Sequence, residues 1–235
     1  MPESCVLLAV EASQREQTVA VQVPGAAVVE ETVVTGDRSR EDLVPAIDRA
    51  MSRAGATAAQ LGAVLLNAGP GGFTGLRVAH AAAQAIALAT GAKVVQVCAA
   101  DAARAASVMA GELGADEPAW VALASKGLES WVRLVGPGVH QPGASLEAHA
   151  WDPGSCLHLI CDEHLPQTFR DRACQAGVSL LPLRVRAKAV LQAGVALLSE
   201  GACTAPERLV PRYPREAEAV RLWRLRHPAR TGGTA

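Results

Sequence analysis

Gly69-Pro70-Gly71-Gly72-Phe73-Thr74-Gly75-Leu76-Arg77 separates an apolar run, Leu61 to Leu66, from an Ala-rich stretch that extends to Thr90 and closes on Gly91. A buried strand, a glycine loop and a helix in that order point to an α/β sheet. Glycines at such a junction permit positive φ and close backbone approach. The following helix N-terminus offers unpaired N–H groups to an anion. Two familiar phosphate-binding spacings nevertheless fail. A P-loop needs Lys-Ser/Thr after its last glycine, where Leu76-Arg77 stands, and G-x-G-x-x-G begun at Gly69 would need glycine at Thr74. On spacing alone the loop reads as a tight strand-to-helix connection with Thr74 near the cap.

The chain before the loop is strand-rich. Cys5 to Val10 is an apolar run, Thr18 to Val23 alternates, and Ala27 to Val34 is rich in β-branched residues, with Pro24-Gly25 as a turn. Three strands this close predict an antiparallel meander. From Asp37 to Gly55 the period becomes helical, with Leu43, Ile47, Ala50 and Met51 on one face. Lys93 to Val97 is another strand. This order, with helices between the later strands, predicts a mixed sheet with an antiparallel edge. Beyond it, Asp101 to Leu113 reads as a helix, and Trp120 to Ala124, Ser130 to Val135 and Cys156 to Cys161 as strands. Ala187 to Ser199 reads as an amphipathic helix. No repeat of short period is visible.

Composition narrows the function classes. The 235 residues are 50% hydrophobic and 19% charged with a net charge of -1, which suits a folded chain with a real core. Near-neutrality gives no whole-chain signal for nucleic acid or membrane, and 3% aromatics makes extended base-stacking platforms improbable. No apolar stretch approaches the roughly 18 residues that span a bilayer. Met1 to Ser4 carries Glu3 and no basic cluster, unlike a signal peptide. Six scattered cysteines suggest reduced thiols and a cytoplasmic setting. The segment Glu207 to Arg230 holds seven Arg against three Glu, a local net of +4. A helix from about Arg215 to His227 could present Arg221 and Arg224 to phosphates or to an acidic partner. The plainer reading is a solvated terminal helix, with Thr231 to Ala235 disordered.

Seven alanines between Leu76 and Thr90 (79, 81, 82, 83, 85, 87, 89) let another element approach closely. That element is either the chain's own sheet or a partner's helix.

The chain resembles the TsaB (YeaZ-like) family, the dimerisation subunit of the bacterial tRNA threonylcarbamoyladenosine machinery. Gly69 to Arg77 is similar to the family's Gly-Pro-Gly-Ser-Phe-Thr-Gly-Leu-Arg signature. Leu7 to Ser13 resembles its opening strand, Glu41 to Asp48 its first helix, and Pro211-Arg212-Tyr213-Pro214-Arg215 its Pro-x-Tyr-x-Arg. The likeness implies an actin-like (ASKHA, ribonuclease-H-like) fold of two related lobes. These would span residues 1–105 and 106–205, with the Arg-rich 206–235 returning to the first. It implies a non-catalytic scaffold that pairs with a TsaD-like catalytic subunit, works with a TsaE-like ATPase and meets tRNA only through the complex. An apolar helix face seeks cover, so the chain alone is expected to form a homodimer, and no membrane partner is expected. The expected interface residues are Leu43, Ile47, Leu76, Arg77, Ala79, His80, Ala83 and Ile86. The loop residues Gly69, Gly71, Gly72, Thr74 and Gly75 would lie near a nucleotide, ATP or ADP, held between subunits, with no cofactor of the chain's own. The chain departs from the family at Glu11 (usually Asp), Ala12 (Thr), Gly72 (Ser), Ser39 (His) and Ala124 (Asp).

Other chemistries are weaker. The catalytic paralogue's His-x-x-x-His is absent, as is Gly-x-Ser-x-Gly. Cys156, His158, Cys161 and His164 are four soft ligands, but on one strand Cys161 would point away from Cys156 and His158, so two buried thiols and strand-edge histidines are expected instead. Asp162-Glu163 reads as a solvated turn rather than a metal-facing pair. The competing functional class is a nucleotide-dependent kinase or ATPase of the same fold. A third reading is a homologue that keeps the fold and has left the tRNA pathway.

Overall fold

Val6–Glu11 (β1) is buried on both faces and lies at the centre of a five-stranded sheet. Thr18–Gln22 (β2) and Val29–Thr32 (β3) follow it antiparallel. After helix Leu43–Arg53 (α1), Leu61–Asn67 (β4) joins β1 in parallel. After helix Phe73–Thr90 (α2), Lys93–Val97 (β5) joins β4 in parallel. The strand order is β3-β2-β1-β4-β5. The computed structural model describes residues 5–33, 43–125, 127–139, 141–214, 223, 226 and 227. Glu41, Asp42, the departure at Ser39 and most of the expected helix after Arg215 lie outside them.

The second sheet repeats this plan. After helix Ala99–Met109 (α3) come Ala119–Ala124 (β6), Glu129–Val135 (β7) and Ala144–Glu147 (β8), paired antiparallel. His158–Cys161 (β9) then pairs parallel with β6, and after helix Gln167–Gln175 (α4), Ser179–Pro182 (β10) pairs parallel with β9. The order β8-β7-β6-β9-β10 is that of the first sheet. Helix Ala187–Ser199 (α5) follows. The fold is actin-like, two related α/β lobes with mixed sheets.

Each lobe lends its last helix to the joint between them. Helix α5 leaves the second sheet and packs on β1, β4 and β5 of the first, while α3 leaves the first and touches β6 and β7 of the second. The two helices meet in a central core with Ala9, Ala20, Ala63, Leu65, Val95 and Val97 from the first sheet. Small side chains on that face let α5 approach closely. A Cβ on its Gly194 would stand 3.0 Å from Leu65 Cβ and 3.1 Å from Val97 Cγ2. Helices α1 and α2 cover the outer face of the first sheet. Helix α4 covers that of the second, around Trp151 and Phe169.

Residues 204–214 run back over the first lobe. Thr204 bridges Val94, Gln84 donates to Pro206 O and Gln96 to Val210 O. Arg212 N then donates to Ala68 O at 2.7 Å, and Pro214 O accepts from Ser145 on β8. This return segment therefore straps the first lobe to the second. Among the described residues no helix is long and apolar enough to cross a membrane, and no cysteine is in a disulfide.

Gly194→Val should loosen the joint by overpacking, at about 1–3 kcal/mol. Urea unfolding will show a lowered midpoint for Gly194→Val, while Ala196→Val, at an exposed position on the same helix, leaves it near wild type.

Candidate functional site

Three of the four segments that carry the family resemblance converge. The turn after β1, the glycine loop after β4 and the return segment pack against one another, and Gly69 to Gly75 lies between the other two.

The β1 side is held by a buried carboxylate. Glu11 is fully buried, and its Oε1 accepts from Ser13 N at 2.6 Å and Gln14 N at 3.2 Å. Asn67 Nδ2 donates to Glu11 Oε2 and to Ser13 Oγ, and Asn67 Oδ1 accepts from Gly69 N at 2.8 Å. Burial raises the Glu11 pKa above 4.5, against the lowering effect of these hydrogen bonds. Glu11 thus orders the turn and, through Asn67, the start of the loop.

The glycines are used up by close approach within the chain. A Cβ on Gly75 would sit 1.8 Å from Ala12 O, and one on Gly71 2.4 Å from Ser13 Cβ. On the other side Gly69, at φ +95°, would place a Cβ 2.7 Å from Arg212 O. Gly72 N donates to Ser13 O at 2.8 Å, and the Gly69-Pro70 peptide is cis. The N–H groups of Gly69 and Gly72 are thus engaged inside the chain, and Pro70 has none to offer. Helix α2 starts earlier than expected, at Phe73 with Gly72 as N-cap, and Thr74 is an exposed residue of its first turn.

The expected interface residues need correction. Leu43, Ile47, Leu76, Ala79, His80 and Ala83 are buried under the chain's own fold, and of the eight only Arg77 is exposed, with Ile86 half-buried. Helical periodicity finds a face but does not say what covers it. The alanines of α2 split in two: Ala79, Ala83 and Ala87 face inward, and Ala81, Ala85 and Ala89 outward beside Leu88, which is 68% exposed. Val44 adds an exposed apolar group on α1. His80 is a packing residue. Its Nδ1 lies 2.7 Å from Leu76 O and its Nε2 3.3 Å from the Gln96 amide, and burial lowers its pKa.

At the exposed N-terminus of α2, Phe73, Arg77 and Tyr213 form one cluster. The two rings lie 5.1 Å apart, the Arg77 guanidinium sits 3.9 Å from the Phe73 centroid, and Arg77 Nε donates to Tyr213 Oη at 3.3 Å.

A cleft of about 670 Å³ opens between the lobes, with Ser13 to Glu16 on one wall and Cys161 to His164 and Pro182 to Arg186 on the other. Its Arg184 is paired with Glu112, and its Arg186 with Glu16 and Glu30. Of the four soft ligands noted in the sequence, Cys161 and His164 border this cleft. Cys156 lies before β9, with its thiol directed to Pro118 O and His158 O. Among the described residues no three His, Cys, Asp or Glu side chains converge to hold a metal ion. Asp162 accepts from His164 N at 2.9 Å in a local turn.

Comparison with known proteins bears on this arrangement. A family model described as "TsaD: tRNA N6-adenosine threonylcarbamoyltransferase" matches residues 32–143, just under half of the chain. The chain is similar to YeaZ from Pseudomonas aeruginosa at 22% identity and a TM-score of 0.71, covering 89% of this chain and 99% of that one. It is also similar to an uncharacterized protein with similarity to peptidase YeaZ from Pseudomonas aeruginosa. There the identity is 20% and the TM-score 0.68, with 90% of this chain and 100% of that one covered. No curated protein matches the chain by sequence. These likenesses show a divergent TsaB-like (YeaZ-like) fold.

Two outcomes test the site. Gly75→Ala should fail to fold or lose several kcal/mol in urea unfolding, because Ala12 O is backbone and cannot rotate away. The raised Glu11 pKa fixes a sign. Relative to Glu11→Gln, wild type should be most stable below pH 4.5 and lose that advantage as pH rises through the higher folded-state value.

Proposed function

We propose that this chain is a scaffold subunit of an assembly that installs threonylcarbamoyladenosine in tRNA. It would pair with a TsaD-like catalytic subunit through the exposed faces of α1 and α2. The observation that carries this reading is the outward stripe Ala81, Ala85, Leu88 and Ala89, an uncharged small-residue helix face beside the TsaB-like signature. Small residues at i, i+4 spacing let a second helix approach closely, and an exposed apolar face gains free energy when covered. The match of residues 32–143 to a TsaD family model and the YeaZ-like fold support the choice of assembly. A TsaE-like ATPase belongs to the same proposal, and a second copy of the chain would cover the face when the partner is missing. The glycines are packed against Ala12, Ser13 and Arg212. Any ATP or ADP in the assembly would therefore be held mainly by the other subunits.

The interlobe cleft is what favours a nucleotide-dependent enzyme instead. It is roomy, at about 670 Å³, but its Arg184 and Arg186 are already engaged by carboxylates, which weakens their attraction for phosphate.

The test is co-purification with the same organism's TsaD-like protein, using substitutions that separate interface from core. Ala85→Arg, at an exposed position, should abolish pairing with unfolding unchanged. Ala83→Arg should unfold the chain, because that side chain is buried against the first sheet. Pairing that survives Ala85→Arg would move the interface elsewhere.

A further inference from the structure

Exposed aromatic side chains are scarce in this protein, and two of them meet. The chain has seven aromatic residues, two Phe, one Tyr and four Trp. Phe73 is 51% exposed and Tyr213 37%, and they come from α2 and the return segment, 140 positions apart. In contact, the two exposed rings make one aromatic patch that a planar ligand can cover.

The cluster has the chemistry of a stacking site. The Arg77 guanidinium carbon sits 3.9 Å from the Phe73 centroid, and Arg77 is itself exposed. A guanidinium stacked on an aromatic ring offers its outer face to a second planar π system and its N–H edge to an anion. Tyr213 also borders a concavity of about 380 Å³, lined by Pro70, Trp131, Arg133, Gln141 and Arg212, with room for one planar base. Arg208 and Arg212 are exposed on the same return segment, and the sequence from Glu207 to Arg230 carries a net +4. Another exposed aromatic residue, Trp223, lies ten positions after Tyr213, with the His227 ring stacked on it at 4.8 Å. Unpaired nucleotides present both base faces and phosphates, which suit rings with guanidinium groups among them.

We propose that Phe73, Arg77 and Tyr213 form a stacking platform for unpaired bases of RNA, with Arg212, beside Tyr213, contacting its phosphates. The choice of RNA over DNA rests on the proposed function; the stacking chemistry does not. The site is small, a few bases at most, which fits an aromatic-poor chain with no extended platform.

The test is fluorescence anisotropy of a fluorescein-labelled, short single-stranded RNA of mixed sequence, and of its duplex, with the full chain at low and physiological salt. Expected are binding of the single strand that weakens with salt, weaker binding of the duplex, and a loss of about tenfold or more for Phe73→Ala and for Tyr213→Ala. Both positions are exposed, and thermal unfolding of each variant checks that the fold is kept. Three results would overturn the platform: no binding at low salt, equal binding of strand and duplex, or variants that bind like wild type. If Phe73→Ala keeps RNA binding but loses the TsaD-like partner, the cluster is a protein-docking surface instead. Loss of partner pairing in Ala85→Arg with RNA binding intact leaves this inference standing, while RNA binding lost in the platform variants with pairing intact leaves the scaffold reading standing.

Discussion

The rest of the first lobe depends on one close approach, that of α2 to the turn after β1. With Gly75 at the contact, Ala12 O lies where a Cβ would stand 1.8 Å away, so no other residue fits there. That approach fixes the first turn of α2, and with it the direction in which α2 presents its two alanine stripes. The buried Glu11 carboxylate maintains the geometry by holding Ser13 and Gln14 through their N–H groups and Asn67 through its amide. The return segment closes the arrangement from the other side through Arg212 N and Ala68 O.

A glycine-rich strand-to-helix loop is readily taken for an anion site. Here the glycines are taken up by close packing within the chain, against Ala12 O, Ser13 and Arg212 O, a constraint that leaves the same sequence signature. The departure Glu11, a longer acid where the family usually has Asp, is also absorbed structurally, since both its oxygens accept hydrogen bonds inside the chain. The signature therefore positions a surface, and what it turns outward is the α2 stripe and the Phe73–Arg77–Tyr213 cluster.

Much of the first lobe was legible because its signals are local. Apolar runs, the Pro24-Gly25 turn and the Gly91 stop mark β1 to β5 and α2 to within a few residues, α1 is matched at its end, and α5 is found at its full extent, Ala187–Ser199. The second lobe was less so. β8, α4 and β10 escaped because they are short, and β8 and β10 are edge strands with half-exposed faces that blur alternation. The exchange of α3 and α5 between lobes is a tertiary fact that no period encodes. At the site, periodicity located the buried face of α2 and assigned it to a partner, because Ala79 and Ala81 look alike until the sheet beneath is known. The cluster of Phe73 with Tyr213 was illegible for a related reason: its members lie 140 positions apart, and the low aromatic content spoke only to extended stacking platforms.

The central claim is that this chain supports threonylcarbamoylation without performing the transfer. Reconstitution tests it most directly. The same organism's TsaD-like and TsaE-like proteins, tRNA, ATP and the threonylcarbamoyl donor would be combined with and without this chain, and the modified nucleoside measured after digestion. The account predicts product only when this chain is present together with the TsaD-like subunit, and none from this chain alone. Product that forms equally well in its absence, or that this chain makes unaided, would contradict it.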